Sequence, residues 1–159
     1  MKIIPYEERY AQDFARLNRE WLEDFDLLEE ADAKHLKSPR ESIIDRGGQI
    51  FFAVEGEVVL GTCAAIRHCS ELVEVAKLAV AHSAKRHGIG RLLVQKVIEY
   101  ARSIRARKVS LVSSTRLRPA LQLYESMGFA QAPLPLEPGY VSADIYMELV
   151  LSNAAPDDF

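Results

Sequence analysis

Gly88 and Gly90 stand one residue apart in VAHSAKRHGIGRLLVQ, residues 80–95, just past an apolar run and just ahead of a helical pattern. Glycine accepts a positive φ and lets another group approach the backbone, so strand, glycine loop and helix in succession suit an anion cradle. The first ~4 N–H groups of a helix lack intrahelical partners, and the macrodipole places roughly half a positive charge beside them. Lys85, Arg86 and Arg91 would add full charges. Two familiar phosphate motifs fail. A dinucleotide-binding Gly-x-Gly-x-x-Gly needs glycine where Leu93 stands, and a P-loop needs Gly-Lys-Ser/Thr, whereas Gly90 is followed by Arg91 and Leu92. On the loop alone, a glycine-rich turn with a solvated basic rim is as good an account as an anion site.

The elements that would hold this loop can be read from periodicity. Residues 2–7 suit an opening strand. From Tyr10, the apolar residues Phe14, Leu17, Trp21 and Phe25 recur at helical spacing, with Trp21 assigned to the core. A weaker helical stretch covers 31–45, broken near Ser38-Pro39 because proline disfavours helix in the residue before it, and Gly47-Gly48 closes it. Residues 50–54 and 58–66 are β-branched or aromatic runs around Glu55-Gly56-Glu57, which reads as an antiparallel hairpin. Residues 72–80 form a further strand. Ile89, Leu92, Leu93, Val97, Tyr100, Ala101 and Ile104 then share one helical face. A strand at 109–113 comes next, so the two strands around that helix should be parallel and joined by a right-handed crossover. Residues 119–127 suit a short helix ended by Gly128, and 133–139 a proline-punctuated loop. Residues 143–149 alternate as a half-buried strand should, and 152–159 read as a loose tail. The expected fold class is α/β: a mixed, mostly antiparallel sheet with helices on both faces, in a single domain over 1–151.

At 159 residues, with 48% apolar and 27% charged residues, the chain suits one globular domain with a real core. A net charge of -3 argues against nucleic acid as a partner, because its binders carry a strong basic face. No h-region opens the chain and no window approaches the ~18 apolar residues of a membrane span, so a cytoplasmic protein with no membrane partner is expected. Cys63 and Cys69 show no metal or redox spacing. They are expected to be reduced structural thiols, with no metal site.

Lys85-Arg86-His87-Gly88-Ile89-Gly90 resembles the Arg/Gln-x-x-Gly-x-Gly/Ala signature of the GNAT superfamily of N-acetyltransferases, which seats the pyrophosphate of acetyl-CoA. Ala120-Leu121-Gln122-Leu123-Tyr124-Glu125-Ser126-Met127-Gly128-Phe129 resembles that superfamily's Ala-x-x-Leu-Tyr-x-x-x-Gly-Phe signature. Two motifs in the right order around a predicted strand are far more specific than either alone. Glu74-Val75-Ala76-Lys77-Leu78-Ala79-Val80 is similar to the cofactor strand of one GNAT branch, so the likeness spans about 50–149. The region before it matches in helix pattern and in Gly47-Gly48. Three positions depart from the pattern. Lys85 replaces the usual Arg or Gln, Leu117 stands where many relatives have an Asn that contacts the pantetheine, and Ser114 is shorter than the Asn some relatives have nearby.

The resemblance implies acetyl transfer from acetyl-CoA directly to a primary amine, with no acyl-enzyme and no metal. It implies a GNAT fold whose two parallel strands diverge at Val80 and Val109 to admit the cofactor. Leu78, Ala79 and Val80 would meet the pantetheine as a further strand, and the amides of Lys85, Arg86, His87, Gly88, Ile89, Gly90 and Arg91 would hold the diphosphate. Ser114 and Leu117 would border the pantetheine from the second strand. A backbone N–H near Leu78 would polarise the thioester carbonyl. A lysine-like amine of pKa ~10.4 costs roughly 4–5 kcal/mol to deprotonate at neutral pH, so a base or a water chain is needed. Glu74 lies four residues before Leu78, where relatives often carry a catalytic carboxylate. Alternation puts it on the side of Ala76, Leu78 and Val80, a parity that a bulge would reverse. Tyr124, in the Leu-Tyr signature, is the general acid; its pKa of ~10 lies about 1.5 units above a thiol near 8.5, an uphill transfer of about 2 kcal/mol.

The acceptor is not written in any motif. Glu20, Glu23, Asp24, Asp26, Glu29, Glu30 and Asp32 crowd the region that borders the acceptor mouth in relatives, and either steer a cationic amine or form a solvated face. Tyr140 either helps close the pocket or packs its loop. Arg102, Arg105, Arg107 and Lys108 complement a helix C-terminus or reach nucleotide phosphates. His35, His68, His82 and His87 show no catalytic spacing. The rival reading is a non-catalytic acyl-CoA sensor, and homodimerisation is left open.

Overall fold

The computed structural model describes residues 1–24, 30–135 and 144–151, apart from the side chains of 21–24 and 30–32. The strands are β1 (Lys2–Pro5), β2 (Gln49–Glu55), β3 (Val58–Cys69), β4 (Leu72–Val80), β5 (Lys108–Ser113), β6 (Ala130–Ala132) and β7 (Ile145–Val150). The helices are α1 (Ala11–Asp24), α2 (Glu30–Lys37), α3 (Ile89–Ser103) and α4 (Arg118–Ser126). Short 3-10 turns precede α1 and α3, and one π-helical turn, Arg40–Ile44, comes after the break at Pro39. The sheet has seven strands in the order β1-β2-β3-β4-β5-β7-β6, antiparallel except for β4 against β5. The mixed, mostly antiparallel α/β fold expected from the sequence is therefore present.

Each face of the sheet buries its own core. On one side α3 lays Ile89, Leu93, Val94, Val97 and Ala101 against Phe51, Cys63, Val73, Val75, Val109, Leu111 and Met147. These helix positions recur every three or four residues, which is why the periodicity was legible in the sequence. On the other side Phe14 and Leu17 of α1, Leu36 of α2 and Ile43 pack on Ile50, Phe52, Ala64 and Ala79. A side chain such as Phe14, fully buried, contributes ~1.5–3 kcal/mol of apolar burial. The two layers are tied at Gly47, whose carbonyl oxygen accepts a hydrogen bond of 2.5 Å from the Tyr100 hydroxyl of α3. Beside it, Gly48 is a close approach of chain to chain: a Cβ there would lie 2.4 Å from the Ala65 carbonyl oxygen.

Two features of β4 set the geometry at the centre of the sheet. The first is the length of its parallel ladder with β5, which holds only for Leu72↔Lys108, Val73↔Val109 and Glu74↔Ser110, although β4 runs on to Val80. The strands therefore part after Glu74, six residues earlier along β4 than the position expected from the sequence. The second is a bulge. Against β3 the register passes from Ala64↔Ala76 to Thr62↔Ala79, leaving Lys77 and Leu78 opposite Cys63 alone, with Lys77 at φ 56. A bulge reverses which residues point to which face. Val73 and Val75 face α3 before it, Leu78 and Val80 pack on that same core after it, and Ala79 joins the α1 side. Glu74, in register with Ile66 of the α1 side, is thus on the opposite face from Leu78 and Val80, and the parity expected from simple alternation is corrected.

Candidate active site

The glycine loop takes the form the sequence suggests. A 3-10 turn, His82–Ala84, leads from β4 into an exposed segment at Lys85, Arg86 and His87. Arg86 (φ 70) and Gly88 (φ 76) are both left-handed, and Gly88 caps α3. A Cβ on Gly88 would meet nothing within 4 Å, so the backbone is open to a ligand on that side. A Cβ on Gly90 would lie 3.5 Å from Leu123 of α4 and 3.9 Å from Leu78 of β4, so the helix start sits directly beside the place where β4 has left β5. Ile89 turns its side chain into the core and can offer only its backbone. Arg91 donates to the Ser126 hydroxyl at 2.6 Å, a tie between the start of α3 and the end of α4.

The second-strand candidates are turned inward. Leu117 is buried and its N–H bonds the Ser114 carbonyl at 2.9 Å, while the buried Ser114 hydroxyl oxygen accepts from the Arg116 N–H at 3.2 Å. Both serve the turn that starts α4. Arg107 stands 3.4 Å from Glu71, and Arg102 lies in the last turn of α3, where a cation complements the helix end. Of the acidic group, Glu20 is described, 3.6 Å from Arg16. It lines a shallow, open cleft with Leu17, Val80, Ala81 and His82, where α1 meets the end of β4. The side chains of Glu23, Asp24, Asp26, Glu29, Glu30 and Asp32, with those of Trp21, Phe25 and Tyr140, lie outside the described residues.

Glu74 and Tyr124 approach the parting of the strands from opposite faces. Tyr124 belongs to the α3-side core, with its ring edge-on to Phe129 at 5.9 Å. Burial pushes its phenol well above the usual range, and the nearby Cys63 thiol adds to the rise. The gap to a thiol is thus wider than the free values give, and Tyr124 holds its proton firmly. Cys63 is itself buried and pushed up to about 12 by desolvation, which makes it an inert packing thiol.

Glu74 lies at the last rung of the β4–β5 ladder, its side chain 13% exposed, with Oε1 2.6 Å from Nε2 of His68. Ser110 is in register with Glu74 on one side and with Glu148 of β7 on the other. The Tyr146 hydroxyl donates to Glu148 Oε2 at 3.0 Å, and Lys108 Nζ lies 3.3 Å from the same oxygen. Burial and the adjoining Glu148 raise the Tyr146 phenol. This polar stripe of His68, Glu74, Ser110, Tyr146 and Glu148 crosses four strands on the face opposite α3. Sequence reading found Glu74 alone. The alternation of 143–149 already placed Tyr146 and Glu148 on one side, but which strands would lie beside them was the missing signal.

Comparison with known proteins agrees with this geometry. The model of the Acetyltransferase (GNAT) family matches residues 11–129. The chain is 28% identical over 97 residues to the Uncharacterized N-acetyltransferase YvbK of Bacillus subtilis (strain 168), covering 59% of this chain and 63% of that protein's length. Among solved structures, an acetyltransferase of the GNAT family from Staphylococcus aureus Mu50 superposes with a TM-score of 0.86 at 20% identity, over 94% of this chain and 98% of that one. The putative acetyltransferase yncA from Salmonella typhimurium, solved with its cofactor acetyl-CoA, superposes at 0.77 and 18% identity, over 97% and 95% of the two chains. With the family model spanning most of the chain, and both the glycine loop and the parted parallel strands in place, the chain belongs to the acetyltransferase (GNAT) family.

Proposed function

We propose that this protein transfers acetyl from acetyl-CoA directly to a primary amine of a small molecule or peptide. The observation that carries the reading is the end of the β4–β5 ladder at Glu74↔Ser110, with the α3 N-terminus beside the opening. An extended thioester-bearing arm entering there would meet the backbone of Leu78, Ala79 and Val80, with its diphosphate at the amides of residues 85–91. The open side of Gly88 and the exposed Lys85 and Arg86 fit such an anion, since helix-start N–H groups and cations both favour negative charge.

The opening joins the two faces of the sheet, and this divides the labour. Glu74, on the α1 side, assists loss of the amine's proton, directly or through water. A backbone N–H near Leu78 stabilises the charge that develops on the thioester oxygen, a preorganised dipole that needs no reorganisation during the step. Tyr124, on the α3 side, protonates the departing sulfur. The raised pKa makes this phenol a donor only to a strong base, which a buried thiolate is.

Calorimetric titration with acetyl-CoA and CoA, then thiol release with polyamines, amino acids, aminoglycosides and peptide N-termini, tests the reading. Binding is expected with both nucleotides, and release with at least one amine class. Binding without release on any amine would make the chain an acyl-CoA sensor.

A further inference from the structure

We propose that His68 and Glu74 act as one proton-accepting unit, in which the imidazole takes the proton released by the amine and the carboxylate holds the resulting imidazolium. The proposal rests on the acetyltransferase reading above and concerns where the proton goes. His68 falls in the register shift between Arg67 and Cys69 of β3, and its ring reaches β4 to place Nε2 2.6 Å from Glu74 Oε1. The two partners differ in exposure. Glu74 is 13% exposed at the edge of the opening, whereas His68 is 47% exposed and can pass a proton to water.

The chemistry rests on the donor and acceptor inventory. An ionised carboxylate only accepts, so the bond to Glu74 puts the ring's proton on Nε2 and the lone pair on Nδ1. A free carboxylate of pKa ~4.3 is about six units below a lysine-like ammonium, but an imidazole near ~6.5 is only about four below. The ring is thus on the order of 100-fold the better proton acceptor. The hydrogen bond to Glu74 raises it further, against an opposing effect of burial. The unit carries one negative charge when the ring is neutral, which favours a cationic amine, and becomes a neutral ion pair once protonated.

The protons balance. The ammonium gives its first proton to Nδ1, directly or through a water, and the freed electron pair attacks the thioester carbonyl as the C–S bond breaks. The thiolate takes a proton from Tyr124, which is restored by the second proton leaving the acylated nitrogen. The imidazolium then releases the first proton to solvent, one proton per turnover.

Among the described residues, the charges near His68 other than Glu74 turn away or pair elsewhere, and Glu74 also acts electrostatically on the Tyr146 phenol. Arg67 turns to the other face against Gly47, and Glu71 in the β3–β4 turn is 3.4 Å from Arg107. On β5 and β7, Lys108, Tyr146 and Glu148 are engaged with one another, and Ser110 carries no charge.

His68→Asn and His68→Gln keep a donor for Glu74 but cannot take a proton. With kcat measured at saturating acetyl-CoA and amine between pH 5.5 and 9.5, the wild type should lose activity as pH falls through a value above the ordinary imidazole range. Both variants should drop kcat by about 10²-fold, lose that acidic limb, and bind acetyl-CoA within twofold of wild type. The His68 ring, tracked by NMR without any amine, should titrate above its ordinary value and return towards it in Glu74→Gln. Variants that keep kcat within twofold and the same acidic limb would overturn the proposal, as would a ring that titrates identically in Glu74→Gln. A wild type that binds acetyl-CoA and releases no thiol with any amine would instead remove the acetyltransferase reading, and this inference with it.

Discussion

Replacing Gly88 by alanine separates the conformational demand of the loop from its demand for space. Gly88 has φ 76 and ψ 11, a conformation that costs an L-residue roughly 1–2 kcal/mol. A methyl there meets nothing within 4 Å, so no packing penalty adds to the strain. For a chain of this size 1 kcal/mol moves Tm by about 2–4 °C, and the loss should be about 2–8 °C. Gly56, in the turn between β2 and β3, supplies the control: φ 63, and again nothing within 4 Å of an added Cβ. Gly56→Ala and Gly88→Ala should therefore destabilise alike. They should part on acetyl-CoA. The methyl of Gly88→Ala occupies the space through which a phosphate would reach the α3 amides, and one charged hydrogen bond lost is worth about 1.5–3 kcal/mol, or on the order of 10- to 100-fold in Kd. Thermal melts and calorimetric titration of the two variants side by side give both quantities. An unchanged Kd in Gly88→Ala, or an equal loss in Gly56→Ala, would refute the placement of the diphosphate at this helix start.

Two further outcomes are expected. Tyr124→Phe keeps the ring edge-on to Phe129 and so should keep the acetyl-CoA affinity, while thiol release falls by about 10²-fold or more; unchanged turnover would remove Tyr124 from the reaction. Gly48→Ala forces a Cβ to 2.4 Å from the Ala65 carbonyl oxygen and 3.0 Å from Ile43, so urea unfolding should show a loss of about 3 kcal/mol. A loss below ~1 kcal/mol would mean that β2 and β3 can separate there freely.

Much of the scaffold was legible because local physics wrote it. The α3 face repeats at helical spacing, Glu55-Gly56-Glu57 divides two β-rich runs, and Gly128, at φ 100, ends α4 as glycine does past a helix. β6 has no counterpart in the sequence reading, since three residues, Ala130–Ala132, carry too little pattern to announce a strand. The site was less legible than the scaffold. Glu74 and Tyr124 came from motifs, but their placement on opposite faces depends on the bulge at Lys77, a non-glycine residue at φ 56 that no propensity marks. His68, six residues before Glu74, could be matched to it only through the register of the β3–β4 hairpin, which two irregularities shift. The point where β4 leaves β5 likewise belongs to tertiary packing, and its sequence trace, two apolar strands, says nothing of where their ladder stops.

The extra residue in β4 bears on how such a protein can change. By switching faces midway, one strand serves a single core with two opposite parities: Val73 and Val75 reach the α3 side before the extra residue, Leu78 and Val80 after it. A deletion at Lys77 would restore plain alternation with Leu78 and Val80 still on the α3 side, whereas flattening the bulge with Lys77 in place would turn them away from that core, so the length of this strand and its bulge can change only together.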